Sequence, residues 1–307
     1  MMMSVYHEPV LKSQSVEGLN IKPDGTYVDL TFGGGGHTMA ILEHLTEAKL
    51  FAFDQDEDAE KNAERLLSPN FTFVRANFRH FRKHLKMYGI DKVDGILADL
   101  GISSHQIDEP VRGFSTRFDA ELDMRMDTSS SLTARKVLKK YSLEDLHKIF
   151  GMYGEVKNAL SLAKAIVAQR NDKRIKTVND LRAVALPLAP KGKENKYLAQ
   201  VFQALRIEVN DELEALREML LESVKALKEN GRLVVISYHS LEDRLVKNFI
   251  NTGKFRGDVE KDIYGNALKP LTAIQRKALK PDENELVENP RSRSARLRIA
   301  ERTVYDG

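Results

Sequence analysis

Four consecutive glycines, Gly33–Gly36, separate a strand pattern from a helix pattern and limit the folds that this chain can adopt. Residues 26–32 are rich in β-branched and aromatic side chains, and residues 38–48 carry apolar side chains at helical spacing. Glycines at such a junction let the backbone turn sharply and approach a ligand, and the next helix offers unpaired N–H groups. The pattern predicts a strand–loop–helix unit that binds a small molecule; a glycine-rich turn without a ligand is the alternative.

Further strand patterns alternate with stretches of helical spacing. They cover residues 50–53, 71–74, 93–100 and 231–238, and an alternating stretch over residues 295–300 predicts a final edge strand. Strands that alternate with helices form βαβ units, whose parallel sheet is covered on both faces. We therefore predict an α/β fold with a doubly wound, Rossmann-like sheet.

The middle of the chain differs from both ends because residues 108–205 contain no convincing strand pattern. Two capping boxes precede apolar-periodic runs there, and they begin at Ser142 and Thr177. We predict an inserted all-helical domain over residues 108–205, and a main domain built from residues 1–107 and 206–307.

Helix patterns resume after the insertion. A long amphipathic helix is expected over residues 208–229, with its C-terminus at Asn230-Gly231. A further helix is expected over residues 241–250.

Composition excludes several chemistries. The chain has 307 residues and no cysteine, which rules out Cys-ligated zinc, iron–sulfur clusters and a thiolate nucleophile. With 48 Lys and Arg against 45 Asp and Glu, the net charge is only +3, so the distribution of charge must indicate any nucleic-acid partner. No apolar run is long enough for a membrane span and no secretory signal is evident, so we expect a soluble cytoplasmic protein.

The glycine loop does not match the two common phosphate-binding motifs. In a G-x-G-x-x-G fingerprint the third glycine would fall at Thr38 or Met39, and no lysine follows the loop as a P-loop requires. Asp54 lies 19 residues after Gly35, at the end of the second strand, where an acid can accept hydrogen bonds from both ribose hydroxyls. This combination suits a nucleoside without a diphosphate, such as S-adenosylmethionine. A solvated acid or a helix N-cap is the alternative for Asp54.

Polar residues at other strand ends are candidates for the reaction itself. Asp99 ends the fourth strand, where ligands of open α/β sheets bind, so it is placed to face the ligand's reactive end or the acceptor. A loop-capping role is the alternative. His239 and Ser240 end the fifth strand; Ser240 is expected either to cap the next helix or to reach the acceptor. No third partner for a Ser-His-Asp triad is evident.

Basic residues are concentrated in two places. Four arginines without an acid occur near the C-terminus, at Arg291, Arg293, Arg296 and Arg298, and a second cluster includes Lys173 and Arg174. Basic clusters that flank a ligand site fit a phosphate-rich substrate. An ordinary solvated face is the alternative for each cluster. N-terminal to both clusters, Asp119–Asp127 is expected to be a structured loop in which Arg125 pairs with an acid, rather than a metal site.

An ordered set of motifs carries a resemblance that covers nearly the whole chain. The motifs are HEPVL at 7–11, TFGGGGHT at 31–38, DLGISS at 99–104, RGFS at 112–115, LDMRMD at 122–127, QVFQALRIEVN at 200–210, SYHSLEDR at 237–244 and NPRSRSARLR at 289–298. Together they closely resemble the bacterial family of small-subunit ribosomal RNA (cytosine-N(4))-methyltransferases. The departures are small: Gly34 replaces a larger residue, and Thr38 stands where serine is common.

The resemblance implies a class I methyltransferase fold, in which the main domain binds S-adenosylmethionine and the helical insertion recognises the substrate. The implied substrate is a cytidine in the decoding region of 16S ribosomal RNA, methylated on its exocyclic amino group in a reaction that requires no metal. The implied cofactor contacts are Gly35, Gly36, His37, Asp54, Phe78, Asp99 and Gln106. The resemblance leaves the catalytic residue open, with Asp99, His239 and Ser240 as candidates.

Three alternatives stay open at this point. The first is a methyltransferase for another RNA or for DNA, although methylation at pyrimidine carbon 5 ordinarily needs the thiolate that this chain lacks. The second is a regulatory module that binds an adenosyl ligand without catalysis. An NAD-dependent oxidoreductase is a more distant third, because the dinucleotide fingerprint is incomplete.

Overall fold

The computed structural model describes residues 8–103, 106 and 110–305, and it divides into two compact units. One consists of Met1–Gly101 and Leu213–Gly307, and the other of Ile102–Glu212. The boundaries predicted from the sequence lie a few residues inside the second unit. We call the first the sheet unit and the second the helical unit.

A seven-stranded sheet forms the sheet unit, with the strand order β3-β2-β1-β4-β5-β9-β8. Its strands are β1 (Thr26–Asp29), β2 (Lys49–Asp54), β3 (Phe71–Arg75), β4 (Val93–Asp99), β5 (Leu227–Ser237), β8 (Leu271–Ala273) and β9 (Arg296–Arg302). The first five pair in parallel, and β9 pairs antiparallel with both β5 and β8. This confirms the predicted doubly wound α/β fold.

Helices complete the sheet unit. They are α1 (Lys12–Leu19), α2 (Gly36–Leu42), α3 (Glu57–Ala63), α4 (Phe81–Met87), α10 (Glu212–Ala226), α11 (Ser240–Thr252) and α12 (Glu283–Glu288). A separate two-stranded ladder joins β6 (Glu260–Lys261) to β7 (Ala267–Leu268). Apolar residues of β1, β2, β4 and β5 are buried on both faces of the sheet, as parallel strands between helical layers require.

Three sequence-based expectations for this unit are wrong. The strand expected at the edge, β9, lies between β5 and β8, because the short β8 pairs along its outer side. The long helix expected over residues 208–229 is interrupted at Asp211, whose φ of 51° is left-handed. The helix after that break ends at Ala226, so Asn230-Gly231 lies within β5 instead of at a helix terminus.

The helical unit is built from five α-helices in its described residues, 102–103, 106 and 110–212. They are α5 (Ala134–Lys140), α6 (Leu143–Met152), α7 (Ala159–Asp172), α8 (Val178–Ala185) and α9 (Glu194–Asn210). Both predicted capping boxes are present: Ser142 with Asp145 starts α6, and Thr177 with Asp180 starts α8. Within these residues the only β-type pairing is an isolated bridge.

The helical unit has its own apolar core. Its fully buried side chains include Leu146, Phe150, Leu162 and Val201, which come from α6, α7 and α9. The loop that precedes α5 is ordered by Arg125, whose guanidinium makes a two-pronged contact with the Asp123 carboxylate at 2.7 and 2.8 Å. This confirms the predicted pairing in that loop.

Among the residues that the structure describes, no helix has both the length and the apolar character needed to cross a membrane.

Candidate active site

The glycine loop after β1 turns sharply and leads directly into α2. Gly33 and Gly35 have φ angles of 52° and 83°, in the left-handed region that favours glycine. The Gly35 N–H donates to the Phe32 carbonyl at 2.7 Å, and the Phe32 N–H donates to the Phe53 carbonyl at 2.9 Å. The turn is therefore anchored to β2 by its own backbone.

Two of the glycines are also required by close packing. A Cβ on Gly35 would lie 2.9 Å from the Phe32 ring, and a Cβ on Gly36 would lie 2.8 Å from the Pro9 ring. Any side chain at these positions forces either the loop or the contacted ring to shift. The loop therefore presents backbone rather than side chains, which is what a close approach to a ligand needs.

Asp54 holds this loop at the end of β2. Its Oδ2 accepts the Gly33 N–H at 2.8 Å, and its Oδ1 accepts the Asp56 N–H at 2.9 Å. Burial raises the pKa of Asp54 to about 6. The N-cap of α3 is Asp56, whose Oδ1 accepts the Asp58 N–H at 3.1 Å, so the capping alternative for Asp54 is wrong.

A buried hydrogen-bond chain that the sequence analysis missed fixes the loop to β1 and β4. Asp29 accepts the Thr38 hydroxyl at 2.7 Å and the Thr31 N–H at 3.1 Å, and the Thr31 hydroxyl accepts the Asp99 N–H at 2.7 Å. Burial raises the pKa of Asp29. The signal for this chain was the acid at the end of β1 followed by two threonines.

Asp99 lies where β4 ends and is contacted by two other side chains. The Tyr238 hydroxyl donates to Asp99 Oδ1 at 2.8 Å, and His37 Nδ1 lies 3.9 Å from Asp99 Oδ2. Because His37 Nε2 lies 3.1 Å from the Val10 carbonyl, which only accepts, Nε2 carries the proton of the neutral ring. Burial raises the pKa of Asp99 to about 6, and burial beside Asp99 holds that of Tyr238 well above its usual value. Tyr238 was not predicted as a site residue.

The other two catalytic candidates behave differently. His239, not Ser240, is the N-cap of α11: its Nδ1 accepts the Glu242 N–H at 3.4 Å. The expectation that Ser240 caps the helix is therefore wrong; Ser240 is its first residue and is exposed. Glu242 completes the capping box by accepting the His239 N–H at 3.3 Å, and it also accepts the Tyr238 N–H at 2.9 Å. These contacts give His239 a structural role, which leaves Asp99 as the best-supported candidate.

Two predicted cofactor contacts lie further along the chain. Phe78 is partly buried against the core of the sheet unit and begins the turn after β3. Gln106 belongs to the helical unit, where it is buried and its Oε1 accepts the Ser103 N–H at 3.1 Å. Contacts of either residue with a cofactor stay predictions.

The predicted RNA-binding residues differ in how far they are exposed to solvent. Arg174, Arg291 and Arg293 are exposed, and Lys173 is exposed while its Nζ lies 3.1 Å from an Asp180 oxygen. Arg298 is largely buried and binds Asp243 at 2.7 Å. Its guanidinium therefore supports the fold, and the basis for predicting that it binds RNA is weakened.

Arg296 shares the same acid but remains accessible. Its Nη1 lies 3.4 Å from Asp243 Oδ2, and half of its side chain is exposed. It is therefore still available to a ligand.

The geometry gathers the acceptors at one edge of the sheet. Asp54, Asp29 and Asp99 end the neighbouring parallel strands β2, β1 and β4, and the glycine loop starts at the same edge. Carboxylate oxygens there can accept hydrogen bonds from ribose hydroxyls or an amino group. These donors and acceptors, with a loop free of side chains, fit an adenosyl ligand.

Comparison with known proteins identifies the family of this chain. The model of the MraW methylase family matches residues 4–303. Ribosomal RNA small subunit methyltransferase H of Cytophaga hutchinsonii is 61% identical over 298 residues, which are 97% of this chain and 100% of that protein. The protein of the same name from Amoebophilus asiaticus is 58% identical over 301 residues, 98% of this chain and 97% of that one.

A solved structure is similar at a lower level. An rRNA methylase from Streptococcus thermophilus is 12% identical, with a TM-score of 0.42, and the match covers 95% of this chain and 93% of that one.

The resemblance inferred from the ordered motifs is confirmed by the family match, and so is the expectation of an enzyme that transfers methyl groups. With a match over nearly its whole length, this chain belongs to the MraW methylase family.

Proposed function

We propose that this protein transfers a methyl group from S-adenosylmethionine to the exocyclic amino nitrogen of a cytidine in the decoding region of 16S ribosomal RNA. Membership of a methylase family along residues 4–303 carries the proposal, and the most similar relatives reported above are named as ribosomal RNA small subunit methyltransferases. The small ribosomal subunit is the proposed partner, and the cytoplasm is the proposed location.

Residues of the sheet unit hold the cofactor in this proposal. The Asp54 carboxylate accepts hydrogen bonds from the ribose hydroxyls, while Gly35, Gly36 and His37 present the loop to the rest of the ligand. Phe78 contacts the adenine. Gln106 of the helical unit adds a further contact, as the family resemblance implies. When bound, S-adenosylmethionine supplies a methyl group on a positively charged sulfur.

Asp99 positions the acceptor. A cytosine amino group is a weak nucleophile because its lone pair is delocalised into the ring, so orientation must supply much of the rate enhancement, up to about 7–11 kcal/mol in favourable cases. Asp99 Oδ1 is used by the Tyr238 hydroxyl. Its Oδ2 is the atom that accepts a hydrogen bond from the amino N–H and holds the nitrogen in place.

The RNA must present an unpaired base to this site. Phosphate contacts from exposed cations fix the position of the RNA without reading its sequence. We assign this role to Lys173, Arg174, Arg291, Arg293 and Arg296. The helical unit is the proposed substrate-recognition domain.

The test is methyl transfer from a radiolabelled donor to assembled small subunits, naked 16S ribosomal RNA and DNA. Nucleoside mass spectrometry of the product is expected to show N(4)-methylcytidine, and calorimetry is expected to show binding of S-adenosylmethionine but not NAD. Transfer to DNA alone, or binding of NAD instead of the methyl donor, would contradict the proposal.

A variant tests the role of Asp99. Asp99→Asn is expected to lower turnover because the amide presents a weaker acceptor than the carboxylate. Full turnover and full cofactor affinity in this variant would remove Asp99 from the mechanism.

A further inference from the structure

A basic cavity of about 310 Å³ lies at the carboxyl end of β5 in the sheet unit. Five cationic side chains line it: Arg244 and Lys247 from α11, Lys280, Arg293, and Arg296 from β9. All five residues are exposed. They approach the cavity from separate segments of the chain, so the fold, not one charged run, brings them together.

The charge in this cavity is not balanced by its lining. Asp243 is the only acid among the described residues that line it. Both oxygens of Asp243 bind the guanidinium of Arg298, at 2.7 and 3.2 Å, and both side chains are nearly 90% buried. The negative charge of Asp243 is thus neutralised beneath the cavity.

Three of the cations have no carboxylate partner among the described residues. In the described part of the chain, no ion pair within 4.0 Å involves Lys247, Lys280 or Arg293. Like charges that face one concave space repel one another and raise the local concentration of anions. The chain carries nearly equal numbers of acidic and basic residues, so this concentration of positive charge is local.

The cavity is one side chain away from the proposed reaction centre. Tyr238 lines the cavity, and its hydroxyl donates to Asp99 Oδ1 at 2.8 Å. An anion bound in the cavity is therefore separated by the Tyr238 side chain from the carboxylate that is proposed to hold the amino group. A polynucleotide brings these two features together, because each of its bases is linked to a phosphate.

We propose that this cavity binds a backbone phosphate of the RNA beside the nucleotide that is methylated, with Lys247 and Lys280 as phosphate ligands in addition to Arg293 and Arg296. The inference rests on the proposed function because it takes RNA as the source of the phosphate. Its role is positioning: the cavity fixes the strand, and Asp99 then meets the base.

The experiment compares Lys247→Gln, Lys280→Gln and the double variant with Lys277→Gln in the full-length protein. Lys277 is an exposed lysine three residues from Lys280 that does not line the cavity, so it is the matched control. Binding of a single-stranded oligonucleotide from the decoding region is measured by fluorescence anisotropy over a series of KCl concentrations. Circular dichroism and calorimetry with S-adenosylmethionine report folding and cofactor binding.

We expect each single cavity variant to weaken RNA binding roughly fivefold more than Lys277→Gln, and the double variant to lower the slope of log K against log salt by about 0.7, the value for one phosphate on a single strand. Cofactor affinity is expected to stay at the wild-type value. Cavity variants that match Lys277→Gln in affinity and slope would overturn the inference.

Two further arms separate the possible failures. If calorimetry with inorganic phosphate shows binding that the double variant loses, while RNA binding is unchanged, the cavity is a site for a free anion and the RNA assignment is wrong. If wild-type protein binds S-adenosylmethionine and methylates RNA although the cavity variants behave as the control does, the proposed function stands and only this inference fails. Absence of methyl transfer by the wild type would instead contradict the proposed function.

Discussion

Asp54 serves two neighbours with its two oxygens, which makes its replacement costly. In Asp54→Asn the amide has only one acceptor oxygen, so either the Gly33 or the Asp56 N–H loses its partner. Loss of a charge-assisted hydrogen bond is worth about 1.5–3 kcal/mol. We expect calorimetry to show S-adenosylmethionine affinity reduced roughly 10- to 100-fold.

The exposed neighbour Glu57 provides the matched control for that experiment. Glu57→Gln removes a carboxylate from the same segment without touching the loop, and its affinity is expected to equal that of the wild type. Equal affinities for Asp54→Asn and Glu57→Gln would show that Asp54 does not contact the cofactor.

The raised pKa values of Asp54 and Asp99, both about 6, predict a pH dependence of cofactor binding. Both carboxyls are ionised at pH 7.5 and mostly protonated at pH 5, where Asp54 accepts hydrogen bonds less well. Calorimetry is expected to show affinity falling by up to about tenfold per pH unit below 6. A flat profile between pH 5 and 8 would contradict the assignment of Asp54.

The stability of the free protein is expected to respond to these two groups in the opposite direction. Their folded-state pKa values lie above the ordinary value of 3.8, so the native state binds protons more tightly than the unfolded chain between about pH 4 and 6. Their ionisation therefore destabilises the fold as pH rises through this range. Asp99→Asn lacks one of the two groups, so its free energy of unfolding is expected to lose less to this effect between about pH 4 and 6 than that of the wild type. Urea unfolding at several pH values measures the difference.

We expect Tyr238 to act as a positioning residue for Asp99. The hydrogen bond from its hydroxyl favours the ionised carboxylate, so Tyr238→Phe is expected to raise the pKa of Asp99. The acid limb of the pH profile of kcat should then move up by about one pH unit, with cofactor affinity at pH 8, where Asp99 stays ionised, unchanged. Tyr264→Phe, at an exposed tyrosine, is the control. If the acid limb of Tyr238→Phe stays where it is in the wild type, Tyr238 does not influence Asp99 and serves only in packing.

At the scale of elements, the loop between β1 and α2 depends on Gly35 for two separate reasons, and a control glycine separates them. Gly89 has a similar left-handed φ of 73°, but a Cβ there meets nothing within 4 Å. Gly89→Ala is expected to cost about 1–2 kcal/mol in urea unfolding from backbone strain alone. Gly35→Ala is expected to cost more, because its Cβ meets Phe32, and to lose cofactor affinity as well. Equal losses of stability would show that the ring contact is relieved without cost.

The elements that could be predicted from the sequence are those with local signals. Periodicity located β1 to β5, and the Ser142 and Thr177 boxes located two helix starts. The break at Asp211 was missed because apolar spacing continues through it, and only one residue adopts a left-handed conformation there. The neighbours of β9 were missed because β8 is three residues long and its pairing joins Leu271 to Arg302.

The same distinction applies to the residues of the candidate site. Asp54 and Asp99 could be predicted because each lies at the end of a strand, whereas Tyr238 contacts Asp99 across 139 positions of sequence. The pairing of Asp243 with Arg298 likewise depends on the antiparallel addition of β9. Contacts between residues so far apart leave no local pattern in the sequence, so the basic cavity that Tyr238 and Asp243 line could not be predicted.

At the scale of the whole molecule, each unit has its own apolar core. Leu162 is fully buried in the helical unit, whereas Leu160 on the same helix is 42% exposed. Leu162→Ala is expected to lower the free energy of unfolding of the helical unit by about 2–5 kcal/mol, and Leu160→Ala by much less. Hydrogen exchange of amides in α6 to α9 measures the difference. Equal protection in the two variants would contradict the packing described for α7.

The place of β9 within the sheet has a consequence for how the protein is made. Residues 296–302 fill the gap between β5 and β8, so during synthesis both of those strands keep unpaired backbone groups on the facing edges until residues 296–302 have left the ribosome. The same late segment delivers Arg296 and Arg298. A nascent chain stalled before this point is therefore expected to aggregate through the two open strand edges.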